Sequence, residues 1–265
     1  MVITGATSGI GLAAAVQLAQ SGAEVVLIGR NAARLTTAAE KVQQGGSVRP
    51  AVFRADFAVL DEVRHVAAEL RAAYNRIDVL VNNAGALQRH AVTTVDGHEL
   101  TMQANHLAPF LLTNLLRDRL DRVVNTASDA HRAGVLNPDD LDAELRNYRP
   151  FRAYGTSKQA NILFTVEAAR RWPELLSTAF HPGLVRSRFA TEYPLVALGM
   201  KVARFLRSPE RGADTLVWLT QTDPAALVNG GYYRDRKLRA PRPKAVDPAL
   251  AARLWASSER AVGLA

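Results

Sequence analysis

Short apolar runs alternate with longer segments of helical periodicity along most of this chain, and that alternation limits the fold more than any other feature. Runs at 2–4, 25–28, 51–55, 79–81, 123–126 and 178–180 have the length and β-branched content of strands. Between them, 12–20, 35–44 and 63–74 place apolar residues at the spacing of one helix face. Such an alternation predicts a parallel sheet closed by helical crossovers, with helices on both faces. A seventh strand is expected around Tyr232 and Tyr233. No linker and no internal repeat interrupts the pattern, so residues 1–265 are expected to form a single doubly wound α/β domain with a central, mostly parallel sheet of about seven strands.

Composition excludes several kinds of chemistry. The 265 residues include no cysteine, which rules out disulfides, thiolate metal sites and a cysteine nucleophile. No apolar run reaches the ~18–20 residues of a membrane span, and MVITGATSGIG reads as a strand entering a turn rather than a secretory leader. A cytoplasmic protein is the expectation. The formal net charge is +8, but the basic residues are dispersed, and only RDRKLRAPRPK at 234–244 concentrates them. That stretch is expected to be a solvated, proline-containing loop, with attraction of an anionic substrate or surface as the alternative. It lacks the interleaved aromatics of a nucleic-acid platform, so no nucleic-acid partner is expected. His90, His106, His131 and His181 do not stand at metal-ligand spacing, and no metal is expected.

The stretch TGATSGIG joins the first strand to the first helix. Gly5 suits backbone angles closed to other residues, Gly9 lets the chain approach a pyrophosphate, and Gly11 permits close helix–strand packing. With Ser8 and Ile10 they bring a helix N-terminus, with its free N–H groups, to the phosphates. The stretch reads as the dinucleotide-binding turn of a Rossmann domain. The second strand ends in Gly29-Arg30-Asn31, without the carboxylate that would hold a ribose 2′-hydroxyl. Arg30 offers a planar fork for a 2′-phosphate and Arg34 a second charge, so NADP(H) is favoured over NAD(H).

In RAYGTSKQ, Tyr154 and Lys158 are four residues apart with only small residues between them. On a helix they share a face, and an ammonium within ~4–6 Å of a phenol would lower its pKa toward the range of a proton donor and acceptor. Pro109 follows Asn105 by four residues, so the carbonyl of Asn105 loses its helical partner and a kink is expected there.

Taken together, TGATSGIG at 4–11, NNAG at 82–85, Ser128 after a strand, YGTSK at 154–158 and HPG at 181–183 resemble the short-chain dehydrogenase/reductase family over essentially the whole chain. ANHLAPFLLT, AYGTSKQAN and the C-terminal GGYYRDRK and LWASSE resemble its retinol-dehydrogenase-like and WW-domain-oxidoreductase-like members. The resemblance implies a catalytic set of Asn105, Ser128, Tyr154 and Lys158. Ser128 would hold the substrate oxygen, Lys158 the nicotinamide ribose, and Asn105 a water chain leading to that lysine. It also implies cofactor contacts from Asp56 and Phe57 at the adenine. Asn82, Ala84 and Gly85 would lie at the adenosine ribose, and Pro182, Gly183, Val185 and Ser187 on the nicotinamide side. Ala127 stands where many relatives have a second serine.

The resulting expectation is an NADP(H)-dependent oxidoreductase moving hydride to or from a carbonyl or alcohol. Its alternatives are a regulatory dinucleotide-binding module and a family member running dehydration or epimerisation. An insertion near 184–207, with Phe189, Tyr193, Leu195, Val196 and Leu198, would form an apolar lid over a small hydrophobic substrate. Residues 86–90 and 131–152 are the other expected walls. Homodimers or homotetramers are the assemblies the resemblance implies.

Overall fold

Strand β1 (Val2–Thr4) turns through the glycine stretch directly into helix α1 (Gly9–Gln20), and the same strand-to-helix step recurs along the chain. In this computed structural model, residues 1–46, 48–185 and 206–265 are described. The next pairs are β2 (Val26–Gly29) with α2 (Ala32–Gly45), and β3 (Ala51–Arg54) with α3 (Leu60–Ala73). β4 (Ile77–Asn82) leads to a composite helix α4 over 100–116, and β5 (Leu120–Thr126) leads to α5 (Pro150–Arg171). After β6 (Leu176–His181) come α6 (Pro209–Gln221), β7 (Tyr232–Arg234), β8 (Lys237–Leu238) and α7 (Pro248–Ala261).

The strands form one sheet in the order β3-β2-β1-β4-β5-β6-β7-β8. The first seven are parallel, and β1 sits between β2 and β4, where the order of the chain reverses. This is the doubly wound arrangement expected, with an eighth strand added. β8 pairs antiparallel with β7, because Asp235 (φ 53°) and Arg236 (φ 57°) both take left-handed backbone and reverse the chain tightly. The stretch at 234–244 is therefore not merely a solvated loop: its first half is a hairpin. Arg234 pairs with Asp129 and Arg236 with Asp214.

Helices α1, α2 and α6 cover one face of the sheet around Leu18, Leu27, Val42, Phe180 and Leu216. Helices α3, α4, α5 and α7 cover the other. There Trp255 of α7 sits edge-on to Phe110 at 5.0 Å and to Trp172 at 4.8 Å between ring centroids, so α7 seals the outer side of α4 and α5. Side chains cap the helices locally. Asn31 Oδ1 accepts from Arg34 N–H at 2.9 Å, and Asp247 accepts from Leu250 N–H at 2.8 Å one residue ahead of Pro248.

The expected disturbance at Asn105 takes a specific form. Residues Gln103–Leu107 make a π-helical turn in which Ala108 N–H reaches back five residues to the Gln103 carbonyl, and Pro109 follows at once. Strands β4, β5 and β6 run longer than their apolar runs. β4 begins at Ile77 and β5 at Leu120, because backbone pairing continues through Asp78 and Asp121, whose side chains point to solvent.

Candidate active site

A parallel sheet brings the carboxyl ends of its strands to one edge. Here that edge collects the glycine turn after β1, Arg30 after β2, Asp56 after β3, Gly85 after β4, Ser128 after β5 and Pro182 after β6.

The glycine turn has the conformation its sequence demands. Gly5 (φ +65°) and Gly9 (φ +55°) lie in the left-handed region, and a Cβ on Gly5 would fall 2.8 Å from Ala84 Cα. Gly11 lets α1 press onto Gly5 and Asn83, where a Cβ would meet the Gly5 carbonyl and Asn83 Nδ2 at 2.5 Å. Ser8 is the N-cap of α1, yet its hydroxyl makes no cap bond. Ile10 follows in the first turn. A helix start with open N–H groups behind a backbone-lined cradle fits a pyrophosphate.

At the end of β2, Arg30 is exposed, and a Cβ on Gly29 would lie 2.7 Å from Thr7 Cγ2, so the arginine emerges beside the glycine turn. Asn31 is occupied as the cap of α2. Asp56 is held by Glu62, whose carboxylate accepts the Asp56 N–H at 2.8 Å, and Asp56 Oδ1 accepts from Ala58 N–H at 3.0 Å. Phe57 is buried beside it.

Asn82, the last residue of β4, turns inward. Its Nδ2 donates to Thr113 Oγ1 at 3.0 Å and to Asn125 Oδ1 at 2.9 Å. The loop itself is braced by Thr4 Oγ1, which accepts from both Asn83 and Ala84 N–H at 2.9 Å, and by Asn83 Nδ2 on the Thr4 carbonyl. Asn105, wholly buried, grips Ala86 at both backbone atoms: Oδ1 accepts its N–H at 2.7 Å and Nδ2 donates to its carbonyl at 3.0 Å. Nδ2 also donates to Ser157 Oγ at 3.0 Å. A methyl on Gly85 would sit 3.1 Å from Asn105 Oδ1 and 3.5 Å from Lys158 Nζ, so the glycine keeps the space between them open.

Ser128, Tyr154 and Lys158 converge. Tyr154 shares a hydrogen bond with the Ser128 side chain, and Lys158 Nζ lies 5.5 Å from the centroid of the tyrosine ring. Lys158 donates to the Thr126 carbonyl at 2.9 Å, and Asn161 Nδ2 donates to the same oxygen at 3.2 Å. No carboxylate is paired with this buried lysine among the described residues.

The electrostatics differ from the expectation in one respect. Burial pushes the Tyr154 phenol up to about 12, opposed only by the Ser128 hydrogen bond, and burial pulls the Lys158 ammonium down to about 7. The lysine was expected to depress the phenol. Without a counter-charge, the desolvation that surrounds both groups penalises the very cation that would do so. A pocket that buries a lysine next to an open backbone cradle is suited to a polar, anionic ligand that returns its charge.

Pro182, Gly183 (φ +86°) and Val185 follow β6, and Val185 bridges to Arg207. The Arg207 side chain packs where a Cβ on Gly183 would be, and Arg207 pairs with Asp235 at 2.6 Å. Ser187 and the lid residues Phe189, Tyr193, Leu195, Val196 and Leu198 lie outside the described residues. The segment 86–90 is tied to 131–152 by Tyr148, whose hydroxyl donates to the Gln88 carbonyl at 3.1 Å and lies 3.2 Å from Thr101 Oγ1. Among the described residues, no group of three His, Cys, Asp or Glu is placed to hold a metal ion, and no helix is long and apolar enough to cross a membrane.

Sequence reasoning missed the Thr126 carbonyl that takes the lysine, and the side chains of Thr4 and Asn83 that brace the loop after β4. It also missed Glu62 and Asp129. Only Glu62 had a sequence signal, as an acid in the first turn of α3 beside a strand-end aspartate.

Comparison with known proteins agrees with this geometry. The family model described as short chain dehydrogenase matches residues 1–194. The chain is 48% identical over 265 residues to "Putative daunorubicin C-13 ketoreductase DnrU" of Streptomyces sp. (strain C5), covering 99% of this chain and 92% of that protein. It is 36% identical over 280 residues to human retinol dehydrogenase 13, covering 100% of this chain and 84% of the relative. Among solved structures it is similar to an uncharacterized protein from Mycobacterium Paratuberculosis, with a TM-score of 0.82 and 34% identity, covering 99% of this chain and 92% of the other. With its sheet order, glycine turn and convergent serine, tyrosine and lysine, this chain belongs to the short-chain dehydrogenase family, on its retinol-dehydrogenase-like side.

Proposed function

We propose that this protein is an NADP(H)-dependent oxidoreductase that interconverts a hydrophobic ketone or aldehyde with its alcohol. The observation that carries the reading is the convergence of Ser128, Tyr154 and Lys158 at the carboxyl edge of the sheet, beside the glycine turn. When bound, the dinucleotide supplies or accepts the hydride. Everything else falls to the chain. Ser128 and Tyr154, hydrogen-bonded to each other, would both present hydroxyls to a substrate oxygen, Ser128 holding developing negative charge and Tyr154 delivering the proton. Burial keeps the free enzyme's phenol protonated, which suits it to the reducing direction.

Lys158 and Asn105 would hold the ribose side. Asn105 fixes Ala86 and leaves the gap at Gly85 through which polar contacts with Lys158 can pass. Exposed Arg30, with no carboxylate at the end of β2, favours a 2′-phosphate and so NADP(H). Phe151, on the same helix three residues before Tyr154, is 60% exposed, and Leu184 is 64% exposed. Both support an apolar substrate. The ketoreductase and retinol dehydrogenase names of the relatives point the same way. A purely regulatory module would have no use for the complete serine, tyrosine and lysine set.

The test is NADPH oxidation against a panel of aliphatic and aromatic ketones and aldehydes, with Tyr154→Phe beside the wild type. Turnover should fall by about 10²–10⁴-fold in the variant while dinucleotide binding is retained. Equal turnover in the two proteins would remove Tyr154 as the proton donor.

A further inference from the structure

The peptide group that joins Ser128 to Asp129 is held at both of its polar atoms by an imidazole. Its carbonyl, on Ser128, accepts from the His131 backbone N–H at 3.0 Å and faces His131 Nδ1 at 2.7 Å, and its N–H, on Asp129, donates to His181 Nδ1 at 3.3 Å. The remaining ring nitrogens settle the tautomers. His131 Nε2 accepts from the Arg242 N–H at 3.0 Å, so the proton of His131 lies on Nδ1 and is donated to Ser128. His181 uses Nδ1 as an acceptor, so its proton lies on Nε2, 3.4 Å from Asp129 Oδ2. Two neutral imidazoles of opposite tautomer thus clasp one peptide plane. Both rings are buried, His131 completely, and burial lowers both pKa values, that of His181 to about 4.

Asp129 closes the cluster. Its Oδ1 accepts from the Tyr232 hydroxyl at 3.0 Å and its Oδ2 from Arg234 Nη1 at 2.7 Å. Tyr232 and Arg234 alternate along β7 and so share a face, and Arg234 is in register with His181 on β6. The Tyr232 ring meets His131 edge-on at 5.4 Å. Groups from β6, β7 and the segment after β8 therefore converge behind a serine that has itself left the end of β5, where the strand ladder no longer holds it.

We propose that His131, His181 and Asp129 are positioning residues for the reaction, fixing the peptide plane after Ser128 and so aiming the Ser128 hydroxyl at the substrate oxygen shared with Tyr154. The inference rests on the catalytic reading of Ser128 given above. Its chemical logic is that the Ser128 hydroxyl, which accepts from the Ala130 N–H at 3.2 Å, takes its direction from the turn that carries both groups, and a misplacement near 1 Å costs about 100-fold in rate.

The variants are Asp129→Asn, His131→Gln, His181→Leu and His181→Asn, measured for ketone reduction and for NADP⁺ affinity. The first three should lose about 10- to 100-fold in kcat with Kd for NADP⁺ changed by less than about twofold. His181→Asn, which keeps an acceptor near the Nδ1 position, should retain more activity than His181→Leu. Combined with Ser128→Ala, Asp129→Asn should add no further loss, because it acts through that serine. A full multiplicative loss in the double variant, or undiminished kcat in the single ones, overturns the proposal. Nitrogen-15 NMR of the wild-type histidines tests the clasp without any turnover. His131 should carry its proton on Nδ1 and His181 on Nε2 at pH 7, and the same tautomer on both rings overturns the clasp. Failure of the wild type to reduce any carbonyl, with the two tautomers as stated, would instead count against the oxidoreductase reading.

Discussion

Lys158 Nζ lies 5.5 Å from the centroid of the Tyr154 ring and shares the Thr126 carbonyl with Asn161. A cation so placed, wholly buried and without a carboxylate among the described residues, leaves a signature in the folding equilibrium.

Burial lowers Lys158 from an ordinary value of 10.5 to about 7. Between those limits the unfolded chain holds a proton that the folded chain lacks, so this group makes stability rise with pH from about 7 to 10. Above pH 10 the sign reverses through Tyr154, whose phenol is held up to about 12 in the folded state. Lys158→Met should therefore be more thermally stable than the wild type at pH 6, with the difference shrinking toward pH 10. A wild-type advantage at pH 6 in calorimetric melting curves would contradict this.

Arg30→Ser should weaken NADPH binding about 10- to 100-fold and leave NADH nearly unchanged, as expected for removal of a charge-assisted contact worth roughly 1.5–3 kcal/mol. Fluorescence titrations with both dinucleotides separate the cases. A parallel loss for NADH would mean that Arg30 holds something common to both.

His98 faces two acceptors, Asp142 Oδ2 at 2.9 Å through Nδ1 and the Ala261 carbonyl at 3.2 Å through Nε2. The hydrogen bond to Asp142 raises its pKa, burial opposes this, and Asp142 and Asp96 add charge attraction. A raised folded-state pKa gives stability that is complete below the ordinary value of about 6.5 and is lost as pH climbs through the folded value. His98→Ala should cost about 1–3 kcal/mol at pH 5.5 and less at pH 8.5, read from urea unfolding at the two pH values. An equal cost at both would show that the charged form is not the one that binds.

Trp255 packs against Phe110, Phe164 and Trp172, lies under the Arg171 guanidinium at 4.8 Å, and donates through Nε1 to Glu259 at 2.7 Å. Trp255→Ala should destabilise the protein by about 3–5 kcal/mol, through lost burial and the cavity left behind. Dinucleotide affinity measured below the melting transition should be unaffected, since the ring packs against Phe110, Phe164 and Trp172 and against none of Ser128, Tyr154 and Lys158.

The sequence alone determined the strand-to-helix alternation, the glycine turn, Arg30 without an acidic partner, the tyrosine and lysine one turn apart, and the proline that disturbs the helix at Asn105. These are local features: each depends on periodicity, on a backbone angle or on neighbours within a few residues. Tertiary structure decided the rest. The eighth strand arises because Asp235 and Arg236 accept left-handed backbone once β8 has β7 to pair with. Asn82 belongs to a motif legible in the sequence, but the partners of its Nδ2, Thr113 and Asn125, are brought to it only by the sheet and its covering helix. The clasp on Ser128 gathers residues from as far along the chain as Arg234 and Arg242, and no spacing rule could announce it. Even the charge states of Tyr154 and Lys158 belong to the fold, since desolvation depends on everything packed around them and not on the four residues that separate them.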